Sequence, residues 1–326
     1  MIILGIESTA HTFGIGIIKA SQNACQILTN CKDSYSSSDI GMIPGDIAIH
    51  HKKVATDVLK RALSEAKLSW EQIDSIAYSA GPGLDPALWA GFNFAKDLAN
   101  KQNKQLIPVN HCTAHLSIGK IINHAKDPVY LYVSGVNTQV IVQQGVKNKN
   151  KQGKYKILGE TLDLGMGNML DKFARTLKLG FPGGPKIEKI AKLGSFIKLP
   201  YTVKGMDVNF SGLLTKCTQL FERKQASTKD LCFSLQEHAF AMTIEIAERA
   251  MAHTQKDELI LVGGVGANKR FCEMLETMCK ERGATFYNVP MSLAGDQGAM
   301  IAWEGFLRKD NYPKMEVDPH WRTDEV

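Results

Sequence analysis

Two histidines, His111 and His115, stand four residues apart in the segment NHCTAHL. On a helix following the apolar run that ends at Val109, positions i and i+4 share one face. Two imidazoles on one face form a chelating pair for a transition metal. Ordinary helix surfaces show the same spacing, so the pair gains meaning only with a third ligand. Asp296, in AGDQG at the start of an expected last helix, offers one. Asp296 suits the N-cap of that helix equally well. No Glu follows His111 directly, so the zinc-protease arrangement HExxH is absent.

Other segments suit a nucleotide. The run Gly263-Gly264-Val265-Gly266-Ala267-Asn268 joins an expected strand to an expected helix, where glycines admit a ligand and the helix N-terminus favours anions. Its glycine spacing is not the dinucleotide fingerprint. Phe181-Pro182-Gly183-Gly184-Pro185 precedes a helix, with Pro185 suited to the first turn. It fits a flat ring against the backbone or a plain helix connector. Asp171 and Glu188 lie on expected helices, where a carboxylate accepts bonds from ribose hydroxyls or is simply solvated. Basic stretches at His50-His51-Lys52-Lys53, Lys60-Arg61 and 147–156 are solvated faces or contacts to RNA phosphates.

The elements that position these groups repeat one order. The first half reads as strands at 2–6, 13–18 and 24–30, a Ser- and Gly-rich loop through Pro44-Gly45-Asp46, and a helix from Ile47. A strand at 75–79, a helix at 88–101 and a strand at 105–109 follow. The second half opens on strands at 129–133, 139–143 and 155–162. A largely helical region follows, then a strand at 258–262, a helix at 269–281, a strand at 285–289 and a helix at 295–307. Each half starts with a hairpin whose tip is short and polar, 7–12 in the first and 134–138 in the second. Such tips present backbone N–H groups to phosphates. Length and composition agree with a two-domain α/β chain: 326 residues, 44% hydrophobic, 22% charged, net charge +6. Seven cysteines with no CxxC spacing read as thiols of a reducing compartment. No run of about 18 apolar residues occurs, so no membrane span and a cytoplasmic protein are expected.

The segments GIESTAHT, NHCTAHL, LYVSGVNTQV, GETLDLGMGN, GFPGGPKIE, LPYTVKGMDVNFSGLL, VGGVGANKR and DQGAMIAW together resemble one family closely. That family is the tRNA threonylcarbamoyladenosine biosynthesis transferases. LPYTVKGMD and the closing RTDEV resemble its archaeal and eukaryotic form, the catalytic subunit of the KEOPS complex. The resemblance implies the two-lobed fold of actin, sugar kinases and heat-shock ATPases: duplicated ribonuclease-H-like lobes with a central cleft. An N-terminal lobe of residues 1–110, joined by about 295–326, and a C-terminal lobe of 111–294 with a helical insertion are expected.

It also implies the chemistry. The threonylcarbamoyl group passes from threonylcarbamoyl-AMP to N6 of the adenosine adjoining the anticodon, in tRNAs reading codons that begin with A, and AMP is released. His111, His115 and Asp296 would be the catalytic metal ligands, for iron or zinc. Tyr132 would complete that shell or touch the substrate. Val133, Ser134, Gly135, Val136 and Asn137 would lie against the phosphate and carbamoyl group of the ATP/AMP-type nucleotide. Gly184 would flank the adenosine, with Asp171 and Glu188 near the ribose and Asn268 near the adenine. tRNA, a kinase-like subunit, a small dimerising subunit and an accessory subunit are the implied partners. Helices of the first half are the expected docking face for the kinase-like one. The implied compartment is the cytoplasm, and also the nucleus in a eukaryote.

Three positions depart from the family pattern: Val136 for a second glycine, Gln297 for asparagine, and Asp85 for a small residue. Two other readings compete. A kinase or ATPase of the same fold would use Glu7 as its base. A non-catalytic, nucleotide-binding KEOPS scaffold would be favoured by Val136.

Overall fold

The structure is a computed structural model that describes residues 1–36, 43–145 and 153–326. In chain order the strands and helices begin with β1 (Ile2–Glu7), β2 (Thr12–Ser21), β3 (Ala24–Ser34), α1 (Pro44–Ala66), β4 (Ser75–Gly81), α2 (Asp85–Gln102), β5 (Gln105–Asn110) and α3 (His111–Ile122). Next come β6 (Val129–Val133), β7 (Thr138–Gln144), β8 (Lys154–Glu160), α4 (Met166–Thr176), α5 (Gly184–Ala191), β9 (Val203–Lys204), β10 (Asp207–Val208), α6 (Ser211–Glu222) and α7 (Thr228–Thr254). The chain closes with β11 (Glu258–Val262), α8 (Lys269–Glu281), β12 (Thr285–Asn288), α9 (Met291–Ala294) and α10 (Gly298–Arg308).

Contacts divide the chain into two compact units. The first holds 1–124, 145–155 and 295–326; the second holds 125–144 and 156–294. The division falls after His124, whereas the sequence suggested 110/111. The reason is packing: α3 lies against α10 and β5 of the first unit.

The first unit is built on a sheet ordered β3-β2-β1-β4-β5. β1 pairs antiparallel with β2 and β2 with β3, while β4 and β5 add in parallel. β1 and β4 are buried almost throughout, as parallel-sheet centres covered on both faces must be. One face packs α1 and α2 around Leu4, Ile6, Tyr78 and Phe92. The other packs α3 and α10 around Ile3, Ile107, Ala114 and Ile301.

The second unit carries the order β12-β11-β6-β7-β8. Read from β8, it repeats the first: three consecutive strands, then two laid parallel after helical crossovers. The echo seen in the sequence is therefore a repeated topology, the duplicated ribonuclease-H-like architecture. Its core gathers β6 and β7 with α4 to α8, including Phe173, Phe210, Phe240 and Phe271.

Two local readings of the sequence are corrected. Pro44-Gly45-Asp46 is not loop; α1 starts at Pro44, because proline at N1 has no N–H to leave unsatisfied. The basic stretch 50–53 is not wholly a surface: His51 is fully buried, on the helix face it shares with Ala55, Val58 and Ala62. Most of the other basic run, 146–152, lies outside the described residues.

Candidate metal centre and nucleotide loops

α3 begins where β5 ends. Asn110 caps it, accepting from Thr113 N–H at 3.1 Å while its amide donates to the Trp321 carbonyl at 3.1 Å. The cap thus ties the helix start to the C-terminal tail. His111 and His115 follow one turn apart, both buried, with ring centroids 4.7 Å apart and planes nearly perpendicular.

Asp296 arrives from the other side. Gln297, not Asp296, is the N-cap of α10: its side chain accepts from Met300 N–H at 3.1 Å. The helix starts at Gly298 because of a close approach. A Cβ on Gly298 would overlap the backbone of Gly16 and Gly5, and one on Gly16 would overlap Ala299. Glycine on both sides lets the first turn of α10 lie directly on the β1–β2 hairpin. The Asp296 carboxylate is left outside the helix, its Oδ1 3.6 Å from His111 Nε2 and 3.4 Å from His115 Nε2.

The three ligand atoms lie within 4.8 Å of one another. Ligands about 2.1 Å from one zinc or iron ion stand roughly 3.0–3.4 Å apart, close to these separations. Two imidazoles and one carboxylate also match the donor set of such ions. The residues therefore fit a divalent transition metal.

Behind the ligands stands Glu7, a buried carboxylate at the end of an apolar strand. Its Oε2 lies 2.9 Å from His111 Nδ1. Its Oε1 accepts from the N–H and hydroxyl of Thr9. Accepting the Nδ1 hydrogen turns the Nε2 lone pair of His111 toward the ligand cluster. The tip itself is pinned from α1, where His51 Nε2 donates to the Ala10 carbonyl at 2.9 Å. From below, Thr113 and Arg308 both donate to buried Glu304, joining α3 to α10.

The charges of the three side chains are mutually tuned. Burial opposes charge on His111, but Glu7 and Asp296 outweigh it and push the group up to about 9. Burial holds His115 below the usual histidine value, with Asp296 pulling the other way. Burial would raise Asp296, but the hydrogen bond from His115 and the two imidazoles hold it well below the usual carboxylate range.

The remaining expected site residues lie in the second unit. Tyr132 and Val133 are buried in β6. Gly263, at φ 93°, passes so close to the Val133 carbonyl that no side chain fits there. The tip Ser134–Asn137 is a closed turn: Ser134 N–H donates to the Asn137 carbonyl at 2.8 Å, and Asn137 N–H to Ser134 Oγ at 3.0 Å. The first turn of α4 takes the Ser134 and Gly135 carbonyls. Among the described residues the N–H groups of Gly135 and Val136 have no partner. Val136 is 69% exposed and is not among the residues with positive φ. The valine therefore replaces no left-handed glycine.

Asp171 and Glu188 are both engaged within the unit. Asp171 accepts from Gly183 N–H at 2.7 Å, fixing the Gly183-Gly184 loop at the start of α5. Glu188 accepts from Lys269 N–H at 3.1 Å. Asn268 is the N-cap of α8, its carboxamide accepting from Phe271 N–H and donating to Gln236. Four of the expected nucleotide residues thus belong to one set of interlocked helix starts, α5 and α8.

Sequence reasoning missed Glu7 as a partner of His111, along with Thr9, Asn110 and Glu304. A carboxylate closing the apolar strand IILGIE was the available signal. Because Glu7 is engaged with His111 and Thr9, it is not poised as a kinase base.

Known proteins resemble this chain over most of its length. The family model described as tRNA N6-adenosine threonylcarbamoyltransferase matches residues 25–303. A tRNA N6-adenosine threonylcarbamoyltransferase of Thermococcus sibiricus is 47% identical, covering 100% of this chain and 99% of that protein. A probable bifunctional tRNA threonylcarbamoyladenosine biosynthesis protein of Methanocorpusculum labreanum is 49% identical over 99% of this chain and 60% of its own length. Among solved structures, T. kodakarensis HypF superposes with a TM-score of 0.67 at 14% identity, over 95% of this chain and 48% of that one, a likeness of fold. With the family model spanning most of the chain and relatives matching it end to end, this chain belongs to the tRNA N6-adenosine threonylcarbamoyltransferase family.

Proposed function

We propose that this chain transfers the threonylcarbamoyl group from threonylcarbamoyl-AMP to N6 of the adenosine adjoining the anticodon, in tRNAs that read codons beginning with A. The observation that carries the reading is the His111–His115–Asp296 cluster backed by Glu7, in a chain of this family. In the reaction the N6 nitrogen bonds to the carbamoyl carbon, the carbon–oxygen bond to the phosphate breaks, and AMP leaves as the N6 proton is lost.

The roles divide by unit. In the first, His111, His115 and Asp296 would hold one divalent ion, iron or zinc. A bound ion of this class polarises a carbonyl or phosphoryl oxygen as a Lewis acid. Glu7 keeps the hydrogen on His111 Nδ1, so Nε2 remains a donor of its lone pair. In the second unit the free N–H groups of Gly135 and Val136 suit a phosphate or a developing oxyanion. The Gly183-Gly184 loop, Asp171, Glu188 and Asn268 suit the adenosine. No serine or cysteine nucleophile is needed, since the attacking amine is the substrate's own.

The bifunctional name of the Methanocorpusculum relative, of which this chain matches 60%, supports a companion protein acting alongside. The companions proposed are the KEOPS subunits: kinase-like, small dimerising and accessory. The site proposed for the work is the cytoplasm. Among the described residues no helix is long and apolar enough to cross a membrane.

A single-turnover assay tests the reading. The chain with its KEOPS partners receives labelled threonylcarbamoyl-AMP and unmodified tRNA, beside His111→Ala. Label is expected in tRNA with the wild type and absent with the variant. Adenylate bound without transfer would replace the enzyme by a binding scaffold.

A further inference from the structure

Between α5 and β9 the chain runs as a strap laid along α7. Ser195 N–H donates to Asp230 at 2.7 Å, Ile197 N–H to Ser234 at 2.7 Å, and Leu199 N–H to His238 Nε2 at 3.1 Å. The matching is metric. Two extended residues span about 6.6 Å, and four helical residues rise about 6.0 Å, so alternate amides meet side chains one turn apart. Gly194 makes the entry tight, since a Cβ there would overlap the Lys229 carbonyl.

This anchoring displays an aromatic ring. Phe196 is 62% exposed, yet it stacks on buried His238 with centroids 4.9 Å apart and planes 12° apart. His238 is itself locked: its Nδ1 hydrogen goes to the Ser234 carbonyl at 2.7 Å, and its Nε2 is occupied by Leu199. One face of the phenyl ring is therefore backed by a fixed imidazole, and the other meets solvent.

The surroundings are cationic. Residues 186–204 contain five lysines and one glutamate, and that glutamate accepts from Lys269 N–H at the start of α8. Lys192 and Lys198 lie within four residues of Phe196 in the chain, Lys229 lies against Gly194, and all three are exposed. Asp230, the acid that anchors the strap, is committed to Ser195 and Ser227. A rigid exposed ring framed by lysines has the chemistry that stacks unpaired bases while holding their phosphates. A protein partner would want a continuous apolar patch, whereas here Leu193 and Phe196 are flanked by charge.

We infer that the Phe196 strap is a binding platform for an unpaired base of the RNA substrate. It lies beyond the C-terminal end of α5, whose first turn carries the Gly183-Gly184 loop; an eight-residue helix spans about 12 Å. The inference rests on the chain acting on tRNA, as proposed above, but not on its catalytic residues.

The test measures tRNA binding by the full chain, not transfer. Phe196→Ala and Phe196→Leu are expected to weaken binding of unmodified tRNA about tenfold, within the range of one base–aromatic stack. Phe196→Tyr should restore it. Phe196→Leu separates the roles, because leucine still covers His238 but offers no ring. Lys198→Gln should lower the slope of log affinity against log salt by about 0.7–0.9, as for one phosphate contact. Binding unchanged in Phe196→Ala overturns the inference, as does failure of Phe196→Tyr, or no tRNA binding by the wild type. Normal tRNA binding with lost subunit assembly would make the strap a protein-docking site instead. A chain that binds through Phe196 yet transfers nothing would sink the transferase reading and leave this one standing.

Discussion

Glu7 Oε2 lies 2.9 Å from His111 Nδ1, although the two residues are 104 positions apart in the chain. One ends the first strand of the sheet and the other opens the helix after its fifth. The contact makes the carboxylate the orienting partner of a candidate metal ligand. Loss of such a partner costs roughly ten- to a hundredfold in metal affinity. Glu7→Gln keeps an acceptor for the Nδ1 hydrogen but loses the charge, so it should fall near the low end. Glu7→Ala loses both and should fall near the high end. Competition titration with zinc and a chelator would rank them, with far-ultraviolet circular dichroism confirming the fold. Equal affinity in all three proteins would remove Glu7 from the site.

The same pairing sets a pH dependence. With its value pushed up to about 9, His111 is protonated in the metal-free protein at neutral pH. A metal needs the Nε2 lone pair, so binding releases that proton. His115, held below the usual histidine value, adds none there. Apparent metal affinity should therefore rise about tenfold per pH unit from 7 until about 9, then level off. Calorimetry in buffers of different ionisation enthalpy should count one proton released near pH 7.5. Affinity that is flat from pH 7 to 9 would show that His111 binds already neutral.

How much of this was legible in the sequence differs by kind of feature. The succession of elements along the chain was legible because short apolar runs alternate with helical periods in both halves, whereas the order of strands within each sheet was not read. The histidine pair of the candidate cluster was legible because i, i+4 histidines are a local signal. Glu7 beside His111 was not, since nothing local links positions 104 apart. The role of Asp296 was ambiguous for a physical reason. Aspartate is a better N-cap than glutamine by intrinsic preference. What moves the cap to Gln297 is contact between glycines of α10 and the β1–β2 hairpin, which fixes where the helix starts. His51 was readable after all. It shares a helical face with Ala55, Val58 and Ala62, and only the adjoining lysines made the stretch look exposed.

That division of labour at the start of α10 predicts two separable phenotypes. Gln297→Ala removes the cap and should lower stability by about 1 kcal/mol, with metal affinity largely kept. Asp296→Asn keeps the shape and the cap, so the unfolding midpoint should barely move while metal affinity collapses. Gly298→Ala should do both kinds of damage. Its Cβ would press on the Gly16 and Gly5 backbones, costing about 1–3 kcal/mol and shifting the aspartate two residues upstream. Urea unfolding beside zinc titration reads the three variants. If Gln297→Ala abolished metal binding with no loss of stability, the cap and ligand roles would be reversed.

His51 gives the first unit an acid-sensitive point. It is fully buried, its Nε2 hydrogen is used on the Ala10 carbonyl, and burial pushes its value down to about 4. In the unfolded chain the same group titrates near 6.5. Between these values the unfolded chain binds a proton that the folded protein excludes. Stability is thus unaffected by this group above about pH 6.5 and falls as pH drops toward 4. The loss approaches roughly 3 kcal/mol if the whole shift is realised. His51→Gln retains a donor near the Nε2 position but does not titrate. The variant should be less stable than the wild type at pH 7.5, because the packing around the ring is lost. The gap should shrink or reverse at pH 4.5. Urea midpoints for both proteins at the two pH values decide it. Parallel losses would place the acid sensitivity elsewhere and leave His51 as packing alone.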